Sequence, residues 1–505
     1  MPGKVYLVGA GPGDPGLLTL KGKRALERAD CVLYDFLVSR ELLRYCRPEA
    51  EKIFAGKRGG APRRPQGEIN HLLISKAVAG LVVARLKGGD PFIFGRGGEE
   101  AEALAEAGVP FEIIPGVSSG VAAPAYAGIP LTHRELASSV FFIAGQENPL
   151  KAGSLVDWQG IAGSNSTLVF FMGTRNLAAI ARALVERGRD PATPVAVIRW
   201  GTRPEQEVIV GTLTDIAERA RTIEPPTVIV VGKVARLRER LRWFERLPLF
   251  GRRIVVTRAR EQAASLRDSL EERGAAVVEI PAIEFRPPAD WAPLDDAIGR
   301  LDEFEYLLVT SANGVRNFMA RLEAADRDAR ALKGLMIGAI GPVTAAEFAK
   351  CGVRVDFVPH EYRAEGLVEA LSGRDLRGRG VLIPRAKVAR DLVPRALQER
   401  GARVEVVGAY ETIQASFAPG ELESLLDPPP DAFTFTSSST AAHLVRLLTS
   451  HKREMFLQRA AIGSIGPVTS ATLRSLGFPA TFEARESTMR GLVEAMEKHF
   501  SRRTR

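Results

Sequence analysis

Short apolar runs punctuate the first half of the chain at Val5–Val8, Ala29–Leu33, Val82–Leu86, Val140–Ala144, Thr167–Met172 and Val228–Val231. Runs of this length, bounded by glycine, proline or charge, read as strands. Between them, Gly97–Ala107 and Leu177–Glu186 space their apolar positions like one face of a helix. The alternation predicts α/β layers with mostly parallel sheets. Val234–Arg253 breaks the pattern: it is basic, with Leu and Arg interleaved, and runs into Leu247-Pro248-Leu249-Phe250-Gly251. It predicts a short helix, a linker at 241–250 and a domain boundary. No apolar run reaches the ~18–20 residues that a membrane helix needs. Val5–Val8 meets a Gly/Pro turn too soon for a secretory signal.

The second half repeats itself. IVVTRA at Ile254–Ala259 matches VLIPRA at Val381–Ala386, and ERGA at Glu272 recurs at Glu399. Thr310-Ser311 recurs as Thr436-Ser437, GPVT at Gly341 recurs at Gly466, and GLVEA at Gly366 recurs at Gly491. Every offset is 125 to 127 residues, so two similar α/β lobes are expected, a period too long for a solenoid. Lobes side by side enclose a cleft, where ligands commonly bind. Cutting by the repeat would divide them near Gly378.

A chain of 505 residues exceeds one ordinary core, and 45% apolar with 26% charged residues is an ordinary globular composition. The net charge is +9. Lys and Arg are spread along the whole chain without an aromatic-rich or zinc-finger pattern, so a polyanionic small substrate explains the charge as well as nucleic acid would. Cys31, Cys46 and Cys351 are far apart and form no CxxC or Cys/His cluster. A reducing, cytoplasmic setting is expected, with no metal site.

Gly9-Ala10-Gly11-Pro12-Gly13-Asp14-Pro15-Gly16 follows the first strand but is no dinucleotide fingerprint. Asp14 stands where the third glycine belongs, and Pro12 and Pro15 lack N–H donors. It reads as a rigid turn that lets a ligand approach the backbone. Gly88-Gly89-Asp90-Pro91-Phe92 and Pro115-Gly116-Val117-Ser118-Ser119 follow further strands, where open α/β sheets bind ligands. Asp90 is suited to accept from a ribose hydroxyl or an ammonium. His71 falls in a helical pattern and reads as structural; His133-Arg134 falls in a loop where substrate contact is possible.

In order and spacing, GAGPGDP, LYD, GKR, GGDPFIFGRGGEE, PGVSS, IPLTHR, FFMG and PEQ resemble the uroporphyrinogen-III C-methyltransferases over nearly all of residues 1–235. The resemblance implies a two-subdomain tetrapyrrole methyltransferase fold at 1–240, homodimeric, with S-adenosyl-L-methionine in the crevice between the subdomains. It places Pro12, Gly88, Gly89, Asp90, Ile93, Ser118, Ser119, Met172 and Gly201 around the cofactor. It gives the acid/base roles to Asp35 and Lys57, and a carboxylate clamp remains open for Lys57. The implied reaction methylates C2 and C7 of uroporphyrinogen III to precorrin-2.

Residues 251–505 resemble uroporphyrinogen-III synthase through the repeat together with TSANGV, IGPVTA, AEGLVEAL, VLIPRA, VVGAY and STMRGLVEA. This implies a bilobal α/β fold that closes hydroxymethylbilane while inverting ring D. In that family the lobes exchange their first strand and helix, giving 251–285 plus 414–505, and 287–411. The matching substrate positions are Thr310, Ser311, Asn313, Thr344, Arg385, Thr436, Ser437, Ser438 and Thr469; the hydroxyl residues are equally good helix caps. Tyr410 is the candidate for assisting loss of the hydroxyl. The expectation is a cytoplasmic bifunctional enzyme of the sirohaem and cobalamin branch, acting on tetrapyrroles without nucleic-acid or membrane partners. No dehydrogenase or chelatase segment precedes residue 1, so completion of sirohaem is not expected. The rival readings are a bilobal tetrapyrrole sensor in the second half, and a methyltransferase for a later corrin.

Overall fold

The computed structural model describes residues 3–56, 64–147, 149, 154–388, 391–448 and 452–501. The chain divides into two compact units, one of Met1–Arg253 with Asp268–Val277 and Glu497–Arg505, the other of Ile254–Arg267 with Val278–Met496.

The first unit opens with β1 (Val5–Gly9), β2 (Cys31–Tyr34), β3 (Glu51–Phe54), β4 (Val83–Lys87) and β5 (Phe111–Ile114), in the order β3-β2-β4-β1-β5. All neighbours are parallel. Helices cover this sheet, so β4 is buried along its whole length, as parallel strands usually are. Gly9 pairs with Lys87 and Tyr34 with Leu86, which brings the carboxyl ends of β1, β2 and β4 level. The glycine-rich turn, Asp35 and the Gly88-Gly89 loop therefore emerge side by side.

A second sheet takes β6 (Val140–Ala144), β7 (Thr167–Phe171), β8 (Pro194–Arg199), β9 (Glu207–Thr212) and β10 (Thr227–Val231), ordered β6-β7-β10-β8-β9. Only β6 and β7 run parallel; the other three pairings are antiparallel. The expectation of mostly parallel sheets fails here, and at β8–β9 the length of the connection gives the reason. Residues 200–206 are too few for a parallel crossover, which takes a dozen or more, so β8 and β9 can only form a hairpin.

Residues 241–250 are no extended spacer. Phe244 and Leu249 are buried. The Phe244 ring packs against Tyr126 and Phe250, and the Trp243 indole N–H donates to the Ala125 carbonyl at 3.1 Å.

In the second half β11 (Arg253–Val256) and β12 (Ala276–Glu279) begin a sheet. The chain then builds a whole further sheet from β13 (Ile283–Arg286), β14 (Tyr306–Val309), β15 (Met336–Ala339), β16 (Gly380–Ala386) and β17 (Arg403–Gln414), and returns with β18 (Ala432–Phe435), β19 (Ala461–Ser464) and β20 (Phe482–Glu483). The orders are β12-β11-β18-β19-β20 and β13-β17-β16-β14-β15. Under the repeat, β12-β11-β18-β19 corresponds to β17-β16-β14-β15, so each sheet combines strands from both repeats. Residue 285 lies inside β13, which pairs antiparallel with β17, so the change of sheet falls between β12 and β13.

Candidate active site

Three loops of the first unit meet at the strand ends, and missing side chains allow it. A Cβ on Gly9 would lie 2.4 Å from the Gly116 nitrogen, and one on Gly116 would lie 2.4 Å from the Gly89 carbonyl oxygen. Gly11 and Gly89 exchange two backbone hydrogen bonds, 2.8 and 3.2 Å. Gly89 has φ +71°, a conformation that glycine adopts without cost. The Asp90 carboxylate accepts from the Phe92 N–H at 2.8 Å and the Gly116 N–H at 3.0 Å, tying two loops together. The Asp14 carboxylate accepts from the Gly16 N–H at 2.7 Å and the Tyr126 hydroxyl at 2.5 Å, while the Asp14 N–H donates to the Thr202 hydroxyl at 3.1 Å. Burial and the bond to Asp14 push the Tyr126 phenol pKa up. Among the described residues, five of the six non-glycine positive-φ positions are Phe94, Arg96, Met172, Trp200 and Thr202, on the loops after β4, β7 and β8. Strain of this kind gathers at ligand sites.

A pocket with about 500 Å³ of empty space, counting its open mouth, lies here. Pro12, Gly88, Gly89, Ser119 and Gly201 line it, with Trp200 and Leu37 among its apolar walls. Gly201 admits no side chain, since a Cβ would stand 2.3 Å from that of Ala123. The other four expected cofactor residues do not line it. Ser118 is buried and caps helix Ser119–Tyr126, and Ile93 packs on the core around Ala123 and Phe171. Asp90 is occupied by its two backbone bonds, and Met172, just past β7, is exposed.

Asp35, just past β2, is gripped by both oxygens: Arg85 Nη2 donates at 2.8 and 3.0 Å. Arg85 is 2% exposed, and its Nε donates to Glu100 at 3.1 Å. Glu100, fully buried, also accepts from Lys87 Nζ at 2.9 Å and Gln66 Nε2 at 3.1 Å, all on one oxygen. Burial, reinforced by the Arg85 charge, pulls the Lys87 pKa below the ordinary lysine value. Burial opposes the Arg85 charge too, but Asp35 and Glu100 outweigh it and hold its pKa above the arginine norm. Sequence reasoning missed Arg85, Lys87 and Glu100. The available signal was two cations at alternate positions of an otherwise apolar strand, hence on one face. Lys57 lies outside the described residues. His71 is exposed; His133 Nδ1 accepts from the Glu135 N–H at 3.2 Å, and Arg134 is exposed.

In the second unit, Ser311 and Ser437 cap helices Ala312–Ala324 and Ser438–Leu447, accepting from Gly314 and Thr440 N–H groups. Thr344 and Thr469 are buried in the first turns of helices Pro342–Lys350 and Pro467–Ser475. Ser438 donates to the Val468 carbonyl at 3.3 Å and accepts from Thr472 at 2.8 Å. Thr310 and Thr436 are half-buried at their strand ends. Asn313, buried, accepts from Arg316 at 2.6 Å. Arg385 pairs with Asp391 of its own chain. The Tyr410 hydroxyl meets the Ser311 hydroxyl at 3.0 Å, and its ring packs edge-on to Phe285 within the core. Burial raises the Tyr410 pKa, with Ser311 opposing.

Two family descriptions match the chain: Tetrapyrrole (Corrin/Porphyrin) Methylases over residues 4–217, and Uroporphyrinogen-III synthase HemD over residues 264–494. A porphyrin biosynthesis protein HemD of Ruminiclostridium josui is 39% identical over 450 residues, which is 87% of this chain and 87% of the relative. The chain belongs to this fused family. It is an enzyme with a tetrapyrrole methylase in its first half and a uroporphyrinogen-III synthase in its second. A uroporphyrinogen-III C-methyltransferase of Bacillus subtilis is 44% identical over 333 residues, covering 65% of this chain and 68% of that one. Among solved structures, a uroporphyrin-III C-methyltransferase of Thermus thermophilus is 42% identical with a TM-score of 0.40, covering 46% of this chain and all of that one. Among the described residues no helix is long and apolar enough to cross a membrane, and no group of three or more His, Cys, Asp or Glu gathers as for a metal.

Proposed function

We propose that the fused enzyme closes hydroxymethylbilane to uroporphyrinogen III with ring D inverted, and then methylates C2 and C7 to give precorrin-2. The observation that carries the methylation is the strand-end pocket, where Pro12, Gly88, Gly89, Ser119 and Gly201 converge beside the Asp35 loop. S-adenosyl-L-methionine, when bound, supplies the methyl group. The residues fit it: Gly88, Gly89 and Gly201 line the pocket without side chains to fill it, beside the apolar Trp200 and Leu37 and the hydroxyl residues Ser119 and Thr227. Positioning supplies much of the rate of an in-line transfer. Asp35 takes the proton that the substrate carbon must lose, with Arg85 fixing both its oxygens. Lys57 donates a proton or clamps a carboxylate. In the synthase, Tyr410 donates to the departing hydroxyl, oriented by Ser311.

The proposed division is a methyltransferase at 1–240 and a synthase at 251–505, dimeric through the first and cytoplasmic. One observation favours a sensing module in the second half: Tyr410 is packed among apolar core side chains. Purified protein with hydroxymethylbilane and S-adenosylmethionine, read by mass and absorbance, separates the two. Precorrin-2 supports the enzyme reading. Bound tetrapyrrole with only the uninverted isomer I defeats it.

A further inference from the structure

Arg258 follows β11 at the end of IVVTRA, one repeat before Arg385 at the end of VLIPRA. The two have diverged. Arg385 holds Asp391, whereas Arg258 meets no carboxylate among the described residues. Its Nε donates to Gln262 Oε1 at 3.0 Å, its Nη1 faces the Met489 sulfur at 3.4 Å, and its Nη2 donates to nothing described. An amide oxygen and a thioether are neutral acceptors, and the second is weak. The side chain is half-buried, and burial pulls its pKa below the arginine norm, with no charged neighbour among the described residues opposing. Withdrawing a cation from water without a counter-charge is unfavourable.

The surroundings say what restores the balance. Gln262 also donates to Asn313 at 3.3 Å, linking helix Arg260–Glu271, which follows β11, to helix Ala312–Ala324 of the other sheet. Arg316, on the same Asn313 oxygen, is already paired with Glu347 at 3.3 Å. Among the described residues Arg258 is thus an uncommitted cation where helices Arg260–Glu271 and Ala312–Ala324 are linked. We propose that Arg258 binds a carboxylate of the linear tetrapyrrole, one of its acetate or propionate arms. The proposal rests on the synthase reaction proposed above.

The test uses the full chain with hydroxymethylbilane, after the wild type has been checked for isomer III. Wild type giving only isomer I overturns that underlying reading. Given isomer III, Arg258→Met is expected to raise KM roughly tenfold or more, the loss of a charge-assisted bond, with more isomer I released. Its melting temperature should hold or rise, because an uncompensated cation has gone, and its methylation of supplied uroporphyrinogen III should match wild type. Arg258→Lys should recover part of the KM. Unchanged KM in both variants overturns the proposal. So does a fall in melting temperature in both variants with methylation lost as well, which marks a structural arginine.

Discussion

Glu100→Gln removes one charge and almost no volume, so it isolates what the buried carboxylate does. Among the described residues Glu100 is the sole carboxylate paired with Lys87 and the second on Arg85, and all three side chains are at most 5% exposed. Taking one partner from a buried pair costs about 3–5 kcal/mol, and the lower end applies because the amide oxygen still accepts. At about 2–4 °C per kcal/mol for a unit of this size, the first unit should melt on the order of 10 °C lower. Three of the four tryptophans, Trp158, Trp200 and Trp243, lie in that unit, so tryptophan fluorescence reports it. Lys87 sets the pH dependence. Its folded pKa lies below 10.5, so between that value and 10.5 the unfolded chain binds more protons and stability rises with pH. Losing Glu100 lowers the folded value further and widens that window. The variant's deficit is therefore largest near neutral pH and shrinks as pH approaches 10.5. With its anchor weakened, Arg85 holds Asp35 less firmly, so methylation kcat should fall about tenfold or more while adenosylmethionine affinity holds. Wild-type melting and turnover would refute the reasoning, as would a deficit that grows with pH.

Asp35→Asn should lower methylation kcat with calorimetric adenosylmethionine affinity unchanged; an equal loss in both assays would count against the acid/base role. Gly89→Val forces a branched residue to φ +71° beside Ser118 and Ser119, so cofactor affinity should drop together with about 1–2 kcal/mol of stability, read by calorimetry and urea melts. Tyr410→Phe deletes the 3.0 Å bond to Ser311, so isomer III formation should slow at a stability loss of about 1 kcal/mol, checked by chromatography of the isomers. Because Phe250 packs on Phe244 and Leu249 is buried, a fragment of residues 1–253 should methylate supplied uroporphyrinogen III better than one ending at 245.

Much of the pocket was legible because its residues have few alternatives. Gly9, Gly89, Gly116 and Gly201 stand where a Cβ would collide or φ is positive, and such constraints show in sequence as Gly/Pro clusters at strand ends. The Arg85–Glu100–Lys87 network was not legible. Arg85 was absorbed into an apolar run and Glu100 into a helix face, and nothing local says that two charges distant in sequence meet in the core. The lobe repeat was legible from spacing alone. Which strands pair was not, because exchanged and unexchanged lobes have the same repeat. The connection at 200–206 carried enough information to reject a parallel β8–β9 pair, through its length rather than its composition.

Divergence within the repeat separates scaffold from chemistry in the synthase half. Ser311 and Ser437 occupy matching positions and both accept a backbone N–H at the start of a helix, so capping alone accounts for them. Their second partners differ. Among the described residues Ser437 bonds only to Ser439 and Thr440 within its own helix, whereas Ser311 also reaches the Tyr410 hydroxyl. The residue matching Tyr410 in the first repeat is Ile283, which has no hydroxyl. Arg258 and Arg385 match, yet among the described residues only Arg385 has a carboxylate from its own chain. The proposed inversion of one ring of four demands an asymmetric site, and a duplicated frame can supply asymmetry only where its copies differ. Tyr410 and Arg258 are such positions, one offering a phenol proton and the other an unspent positive charge. The linear polycarboxylate proposed as substrate, which loses a hydroxyl at one end, would use both.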